Sequence, residues 1–155
     1  RTFKSGVGVV DMKKILQDST AYQALVDQFE EKRRKHRNKF TKIEDVIRDE
    51  ESKLSKQKGV LSKEVYAQKI KDFNKKINEL KSKQNTEAQK FEREFEKSTN
   101  KIQGALIDVL SMIANKNKLD LVMAKNQLLL VGKDIDLTED AIKELNKILP
   151  KITKD

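Results

Sequence analysis

From Tyr22 the positions Val26, Phe29, Arg33, His36, Phe40, Ile43, Ile47, Glu50, Leu54 and Gln57 follow at alternating steps of four and three, and most are apolar. That spacing is a heptad seam and predicts a long helix. Gly59 interrupts it, and a second seam runs through Tyr66, Ile70, Phe73, Ile77, Leu80, Gln84, Glu87 and Phe91. The two seams mirror each other about residue 60: Leu54 answers Tyr66, Ile47 answers Phe73, Ile43 answers Ile77, Phe40 answers Leu80, Phe29 answers Phe91 and Leu25 answers Phe95. The polar interruptions mirror too, His36 against Gln84 and Arg33 against Glu87. A parallel dimer of one unbroken helix would need no such symmetry. A chain folded back at Gly59 does, so the pattern predicts an antiparallel hairpin with its tip near 58–62 and arms of roughly 50 Å.

The ends of the chain read differently. Gly6-Val7-Gly8-Val9-Val10 is β-prone, and Asp11 is placed to cap a helix that begins near Met12. The second arm grows more apolar through Ile102, Leu106, Val109, Leu110 and Ile113, then loses its period at Asn115-Lys116-Asn117. Leu119 to Ala124 and Leu128 to Val131 are β-prone runs joined by Lys125-Asn126-Gln127, which predicts a β-hairpin and three strands in all. Thr138, Glu139 and Asp140 open a last helix carried by Ile142, Leu145 and Leu149, which ends near Pro150. So small a sheet has exposed edges, and closing strands from several copies removes them. The expected fold is mainly α with a small β part: a coiled-coil hairpin over 22–102, projecting from an oligomerisation base made of 1–21 and 103–155. Val7, Val9, Leu119, Leu121, Leu128 and Leu130 are the expected assembly residues.

Composition sharpens this picture. Charged residues make up 38% of the 155 and hydrophobic ones only 36%, too few for one large compact core, while the helical period argues against disorder. The net charge is +9, and residues 28–101 hold 22 Lys and Arg against 14 Asp and Glu, so +8 of it lies on the hairpin. Such a charge favours acidic partners. There is no Cys, and no run approaches the roughly 18 apolar residues of a membrane span. The chain starts at Arg1 rather than Met, which is expected of a product whose targeting segment has been removed.

Candidate chemistry is thin. The single histidine, His36, sits on the seam, where a packed residue is a commoner role than a catalyst or ligand. Glu50-Glu51 and Glu92, Glu94 and Glu96 are carboxylates on a lysine-rich helical surface, which reads as a solvated face rather than a metal site. Gly6-Val7-Gly8 lacks the third glycine of a dinucleotide loop. The reading is a protein with no enzymatic activity, cofactor or metal.

Strand-to-helix Val7-Gly8-Val9-Val10-Asp11-Met12-Lys13-Lys14-Ile15-Leu16, the charged hairpin, then Leu119-Asp120-Leu121-Val122 and Asp134-Ile135-Asp136-Leu137-Thr138 before a final helix resemble the Skp/OmpH family of periplasmic chaperones. Asp11 stands where the family often has Asn, and Leu129-Leu130 where an aromatic is common. The resemblance implies a periplasmic homotrimer whose arms enclose a cavity for unfolded outer-membrane proteins, held without ATP. It also extends to contact with anionic lipid or lipopolysaccharide, although no motif carries such a site over residue by residue. On this reading the arm lysines Lys53, Lys56, Lys58, Lys63 and Lys69 attract acidic clients electrostatically. The alternative from another class is a basic coiled coil that binds nucleic acid nonspecifically; zinc-finger spacing and an aromatic stacking platform are both missing.

Overall fold

A computed structural model describes residues 6–152. The order is β1 (Gly6–Val10), α1 (Met12–Asp18), α2 (Thr20–Gln57), α3 (Lys63–Lys116), β2 (Leu119–Ala124), two short 3₁₀ turns (Lys125–Gln127 and Lys133–Ile135) and α4 (Thr138–Ile148). Packing divides the chain into one unit formed by the residues up to Gln28 together with those from Phe95, and a second spanning Phe29–Glu94.

The first unit holds the core. Val10, Ile15, Ala21, Leu25, Ile102, Leu106, Val109, Leu110, Ile113, Ala141, Leu145 and Ile152 are buried together, and the three-to-four spacing of the α3 members explains why that end of the helix is the apolar one. Asp11 caps α1 by accepting the Lys14 N–H at 3.0 Å. α1 stops after seven residues at Ser19, which is fully buried. Its hydroxyl donates to the Leu16 carbonyl at 2.8 Å and accepts the Tyr22 N–H at 3.2 Å. One serine thus closes α1 and caps α2.

β1 and β2 pair in parallel, with Val7 opposite Leu121, Gly8 opposite Val122 and Val9 opposite Met123. On its other side β1 receives a bridge from Asp136, and the Val9 carbonyl accepts the Leu137 N–H at 2.8 Å. The expected hairpin with a third strand at 128–131 is not formed among the described residues. After β2 the chain coils through the Lys125–Gln127 turn instead of reversing alongside it, and Leu129 and Leu130 are 102% and 93% exposed. A parallel pair needs the long helical crossover that lies between β1 and β2, whereas the sequence pattern had suggested a local turn.

α4 is fixed at its start by Asp136 rather than by Thr138. The Asp136 Oδ1 accepts the Thr138 N–H at 3.0 Å and its hydroxyl hydrogen, while the Thr138 Oγ1 accepts the Asp11 N–H at 3.0 Å. Lys125 adds an ion pair to Asp136 at 3.1 Å. The Thr138 hydrogen bonds, and then Lys125, bring the Asp136 carboxyl down to about 2. A carboxyl depressed in the folded chain stabilises it above the unfolded value near 3.8, and that contribution is lost as pH falls through about 2. Asp136→Asn keeps an acceptor for Thr138 but removes the charge. It should cost about 1–2 kcal/mol at neutral pH, after discounting for the partial exposure of the side chain. Melting curves should show the gap to the parent closing between pH 4 and pH 2; a gap that stays constant would overturn this account.

In the second unit α2 and α3 run antiparallel, as Lys32 with Glu94 (3.2 Å), Lys39 with Glu87 (3.0 Å) and Lys76 with Glu50 (2.6 Å) record. The turn between Gln57 and Lys63 uses Gly59 at φ 86°, a left-handed conformation that favours glycine. Gln57 O accepts the N–H groups of Val60 and Leu61, and Ser62 Oγ accepts the Val65 N–H at 3.3 Å. The apolar seam positions are half-buried as expected, Phe40 most deeply at 3% exposure.

The polar seam positions differ from the expectation. Arg33 and Gln84 are exposed, Lys32 takes the half-buried place, and His36 meets Glu87 instead of Gln84. The Arg33 guanidinium instead stacks 5.6 Å from the Phe29 ring centre.

Candidate functional site

Two surfaces carry the candidate residues, one in each unit. In the second unit Lys53, Lys56, Lys58, Lys63 and Lys69 are all exposed. From Ser52 to Lys71 the sequence has six lysines and a single acid, Glu64, so both sides of the turn are strongly positive. Lys53, Lys56, Lys58 and Lys63 make no ion pair among the described residues. Lys69 donates to Gln57 Oε1 at 3.4 Å.

Their placement is uneven. Lys53 and Lys69 come together from opposite helices at a shallow hollow of about 320 Å³, which Leu54 and Phe73 line beside Gln57, Lys76 and the two acids Glu50 and Asp72, Glu50 being paired with Lys76. A lining that joins Leu54 and Phe73 with three lysines against two acids suits an extended polypeptide that carries acidic and apolar residues. Lys56 lies on another face of α2, beside Arg48 and Glu51. Lys58 and Lys63 flank the turn, next to Val60 at 80% exposure. Farther from the turn, cationic side chains are more often neutralised: Arg34 pairs with Glu31 at 2.6 Å, and Lys39 with Glu87. Unpaired positive charge therefore concentrates towards the turn.

The second surface belongs to the first unit. Val7 (36% exposed), Leu121 (50%) and Leu130 (93%) face outward, and Leu119 and Leu128 are half-buried. Val9 does not join them: at 1% exposure it lies inside the chain's own core. Leu129, fully exposed, and Ile135, at 40%, were not foreseen. The signal for Leu129 was present, since four apolar residues in succession from Leu128 mark a segment covered on both faces. β2 pairs only with β1 among the described residues, so a backbone edge and an apolar run lie open in the same unit.

Among the described residues, no group of three or more His, Cys, Asp and Glu side chains is placed to hold a metal ion, and no helix is long and apolar enough to cross a membrane. The sequence profile of the outer membrane protein (OmpH-like) family matches residues 6–145. No curated protein matches the chain significantly. A crystal structure of a candidate OmpH-like outer membrane chaperone from Caulobacter crescentus superposes with a TM-score of 0.90, covering 100% of this chain and 92% of its own, at 14% identity. At that identity the likeness is one of fold.

Proposed function

Because the chain belongs to the outer membrane protein (OmpH-like) family, by a match that spans residues 6–145, we propose that it is a periplasmic chaperone that holds unfolded outer-membrane proteins without ATP. The observation that carries the mechanism is the unpaired lysine cluster on both sides of the Gln57–Lys63 turn, set beside a hollow lined by Leu54 and Phe73. Long-range attraction gathers acidic segments, and shallow apolar contacts retain them. Neither interaction selects one client conformation, which suits a holdase.

Assembly follows from the other surface. Leu129 and Leu130 cost free energy in water, and β2 has an open edge; a second and third copy that cover both would form a trimer. Several hairpins held by one assembly then bound a client together, so weak contacts sum.

The direct test mixes the purified chain with a urea-unfolded outer-membrane β-barrel protein, dilutes the urea without ATP, and follows light scattering. Scattering should be suppressed at near-stoichiometric chaperone. Unchanged scattering removes the holdase reading. Duplex DNA that binds far more tightly than the unfolded client would favour a nucleic-acid role instead.

A further inference from the structure

One face of α3 differs in chemistry from the rest of the hairpin. Ala67, Lys71, Asn74, Asn78 and Ser82 recur at steps of three and four, so they share one side of the helix, and with Gln68 and Thr86 they line an open trough of about 1280 Å³. Residues 67–86 hold seven side chains with an amide or hydroxyl group, against three in the mirrored α2 stretch 34–53, so the enrichment belongs to α3 alone. Helix formation does not favour it. Short amides and hydroxyls compete with the backbone for hydrogen bonds and are poorer helix formers than the lysine, arginine and glutamate that dominate α2.

The fold does not use these groups either. Asn74, Asn78 and the Ser82 hydroxyl are exposed and make no hydrogen bond among the described residues. Gln68 Nε2 donates to Asp72 Oδ1 at 2.9 Å and the Thr86 hydroxyl to the Ser82 carbonyl at 2.9 Å, which leaves each an oxygen that can accept. The charges along the trough cancel, Lys71, Lys75 and Lys83 against Asp72, Glu79 and Glu87. This face therefore offers hydrogen bonds without the net attraction for acids that the lysines of the turn supply.

We propose that the trough holds the uncharged stretches of an unfolded client by their peptide groups, an inference that rests on the holdase reading and adds a contact the turn lysines do not make. A primary amide carries a carbonyl and N–H donors, as a peptide unit does, so Asn74 and Asn78 can each donate to and accept from an extended backbone. Every sequence presents those groups, and recognition of the main chain is indifferent to side chains, as when a peptide adds to a sheet edge. Each such bond replaces bonds to water and is worth little alone. The helix repeats about every 5.4 Å, whereas a strand presents like-facing groups about every 6.6–6.8 Å, so only some levels match at once and the client can shift along the trough. The trough adds a salt-resistant share of binding to that of the Leu54 and Phe73 hollow.

The test compares the full parent chain with the triple variant Asn74→Ala, Asn78→Ala, Ser82→Ala for binding a labelled, urea-unfolded outer-membrane β-barrel protein at about 0.05 and 0.5 M salt. Alanine favours helix, so circular dichroism should keep its helical signal. At the weak end of its range each lost hydrogen bond is worth about two- to threefold, and affinity should fall about eight- to thirtyfold at both salt concentrations. The double variant Asn74→Gln, Asn78→Gln keeps the amides and should bind within about twofold of the parent. A parent that captures no client removes the holdase reading and this inference with it. A parent that captures, beside a triple variant that captures equally well at the higher salt, overturns the trough alone, as does a glutamine variant as weak as the alanine one. Dextran, a neutral polysaccharide, should not displace the client; displacement from the parent but not from the triple variant would assign the trough to sugars instead.

Discussion

Replacing Leu129 and Leu130 together by Asp is expected to leave the fold intact and to convert an oligomer into monomers. Both side chains are almost fully exposed, and neither contributes to the core around Leu106 and Leu145. The melting behaviour of the isolated chain has no reason to change. In the assembly each leucine would lose about 1.5–3 kcal/mol of burial, and each new carboxylate would need a partner the apolar surface does not supply. Several copies multiply the loss, so the association constant should fall by about three orders of magnitude or more. Mass measurement under native conditions decides: trimers for the parent and single chains for the double variant support the assignment. A monomeric parent at every concentration removes the assembly reading, and a double variant that stays trimeric places the interface elsewhere.

That surface also marks where sequence reasoning ended. The hairpin was legible because its rule is local: apolar residues at four-three spacing, a glycine at the fold-back, and mirror symmetry that only an antiparallel pair requires. The core end of α3 was legible for the same reason. What escaped depends on distant contacts. The parallel pairing of Val7 with Leu121 joins segments separated by the whole hairpin, and no local pattern distinguishes it from an antiparallel turn at Lys125-Asn126-Gln127. The break at Ser19 escaped because neither glycine nor proline stands there; a serine hydroxyl serves both helices. Asp136 as the anchor of α4 needed knowledge that Asp11 and Lys125 converge on the same corner.

The site was legible in composition but not in geometry. The +8 of residues 28–101 was countable, yet which lysines remain unpaired depends on register. Ion pairs such as Lys32 with Glu94 and Lys76 with Glu50 absorb part of the charge along the seam, and the segment from Ser52 to Lys71 keeps its own because it offers only Glu64 in return. His36 was placed correctly on the seam but against the wrong partner, for it meets Glu87 rather than Gln84, and Arg33 is exposed.

Reversing the charge of Lys53, Lys56, Lys63 and Lys69 to Glu should have the largest effect on client capture. Four positive charges become four negative ones, which brings residues 28–101 from +8 to neutral and makes the turn region acidic. All four side chains are exposed, and among the described residues the interaction forfeited is the 3.4 Å hydrogen bond from Lys69 to Gln57, so helix content and assembly should hold. Capture of an acidic unfolded client should slow by about ten- to a thousandfold at low salt, the range over which electrostatic steering operates. The parent should lose most of the same advantage when ionic strength rises from about 0.05 to 0.5 M, because the screening length then contracts well below the width of the hairpin. The variant should respond little to salt, or bind slightly better as repulsion is screened. The two curves should converge at high salt on the residual affinity of the Leu54 and Phe73 hollow. Stopped-flow fluorescence with a labelled client measures all of this; equal rates for parent and variant at low salt would remove the lysines from the mechanism and leave capture to apolar contact.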